Sequence, residues 1–408
     1  MKNLLAGMLG NVLEHYDNAL YSLLVPFLAP LFFSNVPYLT GLIIAYGIQI
    51  VAALMRPLGA VIFGYYGDRY GRKKILSITL LGMAISTMLM GCLPTYGQIG
   101  SLAPLLLVML RAAQNFFAGG ETKGGAIFVL EHSKKSWRGF MSSIYDASSI
   151  LGIVFASALV GLCAAFDLVE YYWRIFFWLG SLSALVGFVI RNFSDETPDY
   201  LEAKEDAPKI LWTLLTYRKA LFSIALASGF SYVSYSIPFT LMNGFLPLIS
   251  SMSKAEAIHV NTSLLVFDML LLPCFGIMTR YINSEKLMKG AALSMALCAV
   301  PLFTLLYNPT MTNALIVRTV IVIIGVAFAA PFHQWSIGLV PVKDRYLLSS
   351  LGTSLGTQCI GAPCAALCLW LYQKTDWVIV PGFYLLAASL GALWGVTRTV
   401  KKTAKILA

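Results

Sequence analysis

The sequence predicts an all-α membrane protein of twelve transmembrane helices in two six-helix halves, and three observations carry that expectation. Of 408 residues, 58% are hydrophobic and only 12% charged, whereas soluble domains carry roughly 25% charged residues. Apolar windows of spanning length, about 20 residues, recur from end to end. The 29 Lys and Arg residues gather in alternate short loops, the pattern of cytoplasmic loops.

The windows fall near residues 6–33, 39–66, 75–93, 102–132, 140–165, 172–191, 218–249, 257–279, 286–307, 310–340, 346–370 and 377–398. The first follows Met1-Lys2 in the manner of a signal peptide, but Glu14 and Asp17 interrupt it and no small-x-small cleavage site follows, so a retained helix is expected. Asn11, Glu14, His15, Asn18 and Ser22 recur at helical spacing as one polar stripe, flanked by Asp17 and Tyr21. On an apolar helix such a stripe should face a central cavity. The fourth window carries Arg111, Gln114, Glu121 and Lys123. The longest polar stretch, 192–216, reads as a cytoplasmic linker between residues 1–191 and 217–408. The later windows hold sparse polar or aromatic insertions, among them Tyr232, Tyr235, Asp268, Arg318 and His333.

Under this topology only Arg174, Lys254 and Lys374 fall on the outer side, and Arg56, Arg111, Lys123 and Arg318 lie within spans. The remaining cations, Arg191 at the end of the sixth window included, fall on the inner side, so both termini are expected in the cytoplasm. The same distribution assigns the net charge of +10 to topology rather than to nucleic acid. The seven cysteines all lie in apolar stretches without a CxxC pair, and the four histidines form no HExxH. No cofactor, metal or enzymatic activity is expected.

Between the second and third windows stands a charged hairpin, Gly64 to Lys74. Gly67 and Gly71 permit tight turning and close helix approach, and Arg69, Arg72, Lys73 and Lys74 suit an anionic inner leaflet. Asp68 ends a helix where the macrodipole disfavours an acid, so it should seek another helix's N-terminus or an arginine. A degraded copy runs from Gly276 to Lys286, with Arg280 in place of Asp68 and Asn283 in place of Gly71, which supports a duplicated architecture.

The pattern Gly64, Asp68, Arg69, Gly71, Arg72, Lys73 resembles the signature loop of the major facilitator superfamily of secondary transporters. Gly10 to Asp17, Arg56-Pro57-Leu58-Gly59, Gln114-Asn115-Phe116, Gly119-Gly120-Glu121, Arg138 to Met141, Asp146, Trp173 to Ile175 and Glu196-Thr197-Pro198 are similar to its metabolite:proton symporter branch, typified by proline/betaine transporters. The resemblance implies a major facilitator fold in a bacterial inner membrane and a monomer as the working unit. It also implies import of a small polar metabolite, proline, betaine or a related zwitterion, driven by protons through alternating access. Gly64, Asp68, Arg69, Gly71 and Arg72 would then form the conformational switch.

Charges inside a span cost about 2.5–3.5 kcal/mol each and therefore pair, line water or titrate. Glu14 and Asp17 are the leading proton-coupling candidates, with Glu121 sharing the path, and static ion pairs are the alternative. Arg111 offers a planar donor fork for a carboxylate, with Asn11, Asn18, Tyr21, Gln114 and Tyr235 as further solute contacts; pairing of the fourth-span charges with Glu14, Asp17 or Asp146 is equally open. Two other readings stand beside the zwitterion symporter: a di- or tricarboxylate:proton symporter using several of the intramembrane cations, and a transport-inactive sensor on the same scaffold.

Overall fold

The computed structural model describes residues 2–164, 166, 168–202, 210–250 and 254–406. These are helices and short connections with no strand among them. Lys204, Glu205, Asp206, Pro208 and Lys209 of the expected linker lie outside the described residues.

Ten of the helices are long and apolar enough to cross a bilayer, and they account for spans three to twelve. The first two spans fall short for opposite reasons. Lys2–Phe32 has 31 residues, but its polar stripe lowers the hydropathy. The second span is split at Leu54 into Tyr38–Ala53 and Met55–Tyr70, of 16 residues each. Pro57 explains the break: it has no N–H for the Ala53 carbonyl four residues earlier, and its ring crowds that carbonyl. Side chains such as Ile85, Met88, Leu182 and Leu297 stand exposed, an apolar exterior that suits hydrocarbon rather than water. The chain is an integral multi-pass membrane protein.

The helices form two compact units. One comprises Met1–Ser133, Ser148–Ala207 and Val342–Ser350; the other comprises Lys134–Ala147, Pro208–Pro341 and Leu351–Ala408. In the first unit an aromatic and aliphatic core joins the first helix to its neighbours: Leu24, Leu28 and Phe32 pack with Trp173 and Phe177, Phe32 meeting Trp173 edge-on at 5.9 Å. Gly59 and Gly119 allow backbone-to-backbone approach, since a Cβ on either would run into the Phe116 or Arg56 carbonyl.

The hairpin of the first unit turns at Gly71, whose φ of 107° is open to glycine. The Glu196 carboxylate accepts from the Lys73 amide at 3.2 Å, an acid at the N-terminus of Arg72–Gly91, where the dipole favours it. Asp68 finds the partner its position demands. Its Oδ1 and Oδ2 accept from the Tyr346 and Leu347 amides at 3.0 and 2.9 Å, the orphan donors of the first turn of Arg345–Gly356. Arg72 donates to the Val342 carbonyl at 2.7 Å and lies 3.8 Å from Asp68. Glu131 is shared between Arg72 and Arg345, and Arg345 also reaches Asp199 at 3.0 Å. Glycines make the docking possible: a Cβ on Gly64 would stand 2.6 Å from the Leu347 Cα, and one on Gly67 would enter the Tyr346 ring.

The second unit repeats this plan with other chemistry. Segment 134–147 packs on Gly276 and Thr279 through Ser143 and Gly139, and Arg280 stacks on Trp137 at 4.2 Å. Asn283, standing where the first hairpin has a glycine, caps the next helix by accepting from the Glu285 amide at 2.9 Å.

Replacing Asp68 with Ala should remove about 1 kcal/mol of capping and speed hydrogen exchange at the Tyr346 and Leu347 amides about fivefold. Unchanged protection would show that the carboxylate does not hold that turn.

Candidate functional site

Glu14 and Asp17 lie one turn apart on the first helix and therefore share a face. Both are buried, at 1% and 3% exposure, and both line a small recess with Asn18, Arg56, Gln114 and Asn115. The space inside it is that of about one water, far short of an ordinary ligand pocket. The recess suits a proton relay or one end of a solute.

Each acid has one satisfied oxygen and one without a hydrogen bond. Thr122 donates to Glu14 Oε1 at 2.7 Å, and Arg56 approaches the same oxygen at 3.4 Å. Thr87 and Gln114 donate to Asp17 Oδ2 at 2.8 and 3.4 Å, and Gln114 also donates to Thr87 at 2.7 Å. Glu14 Oε2 and Asp17 Oδ1 are buried without hydrogen-bond partners. An unsatisfied carboxylate oxygen in a dry site costs free energy, and a proton or a water entering the recess relieves it.

Arg111 and Arg56 stand in different relations to the recess. Arg111 is 2% exposed, lies over the Tyr21 ring at 4.2 Å and donates to Gln114 Oε1. It braces the wall of the recess from behind. Arg56 faces the recess instead, held by its Nε donating to Asn115 Oδ1 at 3.0 Å.

Of the other expected site residues, Asn18 and Gln114 join the acids, whereas Asn11 donates to Ser148 and Ser149 at 2.8 Å each. The Tyr21 hydroxyl is spent on the Ala45 carbonyl at 3.1 Å. Glu121 stands apart from the recess. It takes a two-pronged bond from Arg191 at 2.7 and 2.9 Å and a third from Thr79 at 2.9 Å. Arg191, expected at the cytoplasmic surface, is therefore a fully buried partner, accommodated because Gly10 leaves the space that its guanidinium fills. Tyr235 belongs to the second unit, where it packs on Phe239 at 4.8 Å. Asp146 pairs with His333 at 2.8 Å rather than with a fourth-span charge. Thr87 and Thr122, which hold the two acids, carried no signal in the sequence beyond being polar within apolar spans.

The chain is 28% identical to the proline/betaine transporter of Escherichia coli (strain K12), over 99% of this chain and 84% of that one. It is 29% identical to the glycine betaine/proline/ectoine/pipecolic acid transporter OusA of Dickeya dadantii, over 97% and 82%. Among solved structures, the proton:xylose symporter XylE bound to 6-bromo-6-deoxy-D-glucose superposes with a TM-score of 0.75 at 16% identity, covering 98% of this chain and 95% of that one. A double Trp mutant of XylE reaches a TM-score of 0.80 at 15% identity, covering 97% and 94%. The model of the Major Facilitator Superfamily matches residues 8–341, and the chain belongs to that superfamily of transporters.

Proposed function

We propose that this transporter is a proton-coupled symporter that imports a small zwitterion of the proline or betaine type into a bacterial cell by alternating access, with both termini in the cytoplasm and Asp68 and Arg72 governing the switch. The observation that carries the reading is the recess itself: two buried acids one turn apart, each with an open oxygen, beside a guanidinium that one of them holds. Curated relatives that share nearly the whole chain and bear proline/betaine names support the solute class.

The geometry supplies a coupling step. While Glu14 is ionised it holds Arg56, and a solute carboxylate must compete for that guanidinium. A proton on Glu14 cancels the attraction and turns Arg56 toward the incoming carboxylate; loss of the proton restores the Glu14–Arg56 pair and expels the solute. Asp17, fixed by Thr87 and Gln114, lies one turn along as the next proton station. Each proton falling through 100 mV contributes about 2.3 kcal/mol, enough for roughly fiftyfold accumulation.

The organic-acid alternative needs converging cations, and Arg56 is the cation lining the recess. Competition of zwitterions and dicarboxylates against labelled uptake in proteoliposomes separates the two. Binding without flux in the same vesicles would instead identify a sensor.

Glu14→Gln should abolish uphill accumulation under an imposed pH gradient while solute counterflow persists; undiminished accumulation would refute the coupling role. Arg56→Gln removes a charge-assisted bond of about 1.5–3 kcal/mol and should raise KM for uptake about ten- to a hundredfold. An unchanged KM would free Arg56 from any part in solute binding.

A further inference from the structure

Arg56 is held by the fourth span, Leu102–Glu131, at both ends of its side chain. Its backbone is fixed first. The rod Met55–Tyr70 lies so close to that span that a Cβ on Gly119 would strike the Arg56 carbonyl, and one on Gly59 would strike the Phe116 carbonyl. Further out, Asn115 Oδ1 accepts from Arg56 Nε at 3.0 Å. Asn115 is itself immobilised: it is 5% exposed, and its Nδ2 donates to the Arg111 carbonyl at 3.0 Å. That second bond settles the direction of the amide. A carbonyl can only accept, so the amide nitrogen faces Arg111 and the amide oxygen is the atom left for Nε.

Beyond Nε the guanidinium is less committed. Nη2 lies 3.4 Å from Glu14 Oε1, longer than a charge-assisted hydrogen bond, and among the described residues Nη1 makes no hydrogen bond. The side chain keeps 17% of its surface and lines the recess. The neutrality of its partner matters here. An acid at position 115 would hold Nε equally well but would cancel the charge that Arg56 offers. An apolar side chain would leave a long, flexible arginine to find its own orientation. Asparagine restrains the geometry and leaves the charge to be spent elsewhere.

We propose that Asn115 is a positioning residue for solute binding: it pins Arg56 Nε and so presents the Nη1–Nη2 edge to the solute carboxylate. The inference rests on the symport reading above, in which Arg56 passes between Glu14 and the solute. With Nε held, that passage is a rotation about the Nε–H···Oδ1 bond rather than a search by a free side chain. Part of the ordering that binding demands of Arg56 is thereby done in advance. The edge left over carries two nitrogens, which match the two oxygens of a carboxylate. Asn115 touches no solute in this scheme and acts through Arg56 alone.

Counterflow of labelled proline and labelled glycine betaine in proteoliposomes would give KM and maximal rate for the wild type, Asn115→Leu, Arg56→Gln and the double variant. Asn115→Leu should raise KM about tenfold while the maximal rate changes by no more than about twofold. The double variant should match Arg56→Gln alone, because two residues acting through one guanidinium do not add. An unchanged KM in Asn115→Leu, or a double variant whose KM shows both single effects multiplied, overturns the role. If Asn115→Leu does not fold, Asn115→Ser decides: its hydroxyl still bonds the carbonyl four residues back but falls short of Nε, so the same rise in KM is expected. A measurement without solute stands apart from the symport reading. In detergent-solubilised protein carrying isotope-labelled arginine, the Arg56 Nε signal is identified by its loss in Arg56→Gln, and its proton should exchange with water about tenfold faster in Asn115→Leu. If the wild type carries neither solute, the zwitterion reading falls and this exchange alone judges the pin; equal exchange in wild type and variant overturns it.

Discussion

An ionised side chain inside a spanning helix has no water to solvate it, so every such charge must be answered from within the protein. This constraint organises the first unit. Arg191 and Glu121 meet in a fully buried two-pronged pair that also ties the first helix, through the Ala6 carbonyl, to Arg72–Gly91 through the Leu76 carbonyl. Glu131 serves two guanidiniums, and both of them belong to the docking of segment 342–350. Such pairs contribute little net stability because desolvation offsets attraction. They do fix which helix faces which, since breaking one leaves a bare charge behind.

Against that background the incompletely answered acids stand out. Glu14 and Asp17 each keep an oxygen without a hydrogen bond beside a recess. What sets these two apart is the space beside them, into which a proton or a water can enter.

Much of this was legible in the sequence. Hydropathy located the spans because a bilayer demands apolar length, and the polar spacing from Asn11 to Ser22 put Glu14 in a stripe on the first helix with Asp17 at its flank. Asp68, misplaced against its own dipole, was expected to seek a helix N-terminus or an arginine, and it has both. Partner identities were not legible. Arg191 sits at the end of a hydropathic window, where a surface cation and a buried one look alike; only the space beside Gly10 and the opposing Glu121 decide between them. The pairing of Asp146 with His333 joins residues 187 positions apart, and no periodicity reports such a meeting. Arg111 was singled out for its planar donor fork, which Arg56 shares; the Tyr21 ring lies against Arg111, and Arg56 faces the recess.

The break at Leu54 has a mechanical consequence. A continuous helix transmits torque through its ladder of backbone hydrogen bonds, but Pro57 cancels a rung and leaves the two rods of the second span joined largely by the covalent chain. The rod Met55–Tyr70 is bolted down by Gly59 on Phe116 and Gly64 on Leu347. The rod Tyr38–Ala53 is held instead on the first helix, where its Ala45 carbonyl accepts from the Tyr21 hydroxyl and its Gln49 amide donates to Ser22. Arg56 sits beside that break, so the guanidinium that approaches Glu14 at 3.4 Å is carried by the first turn of the second rod.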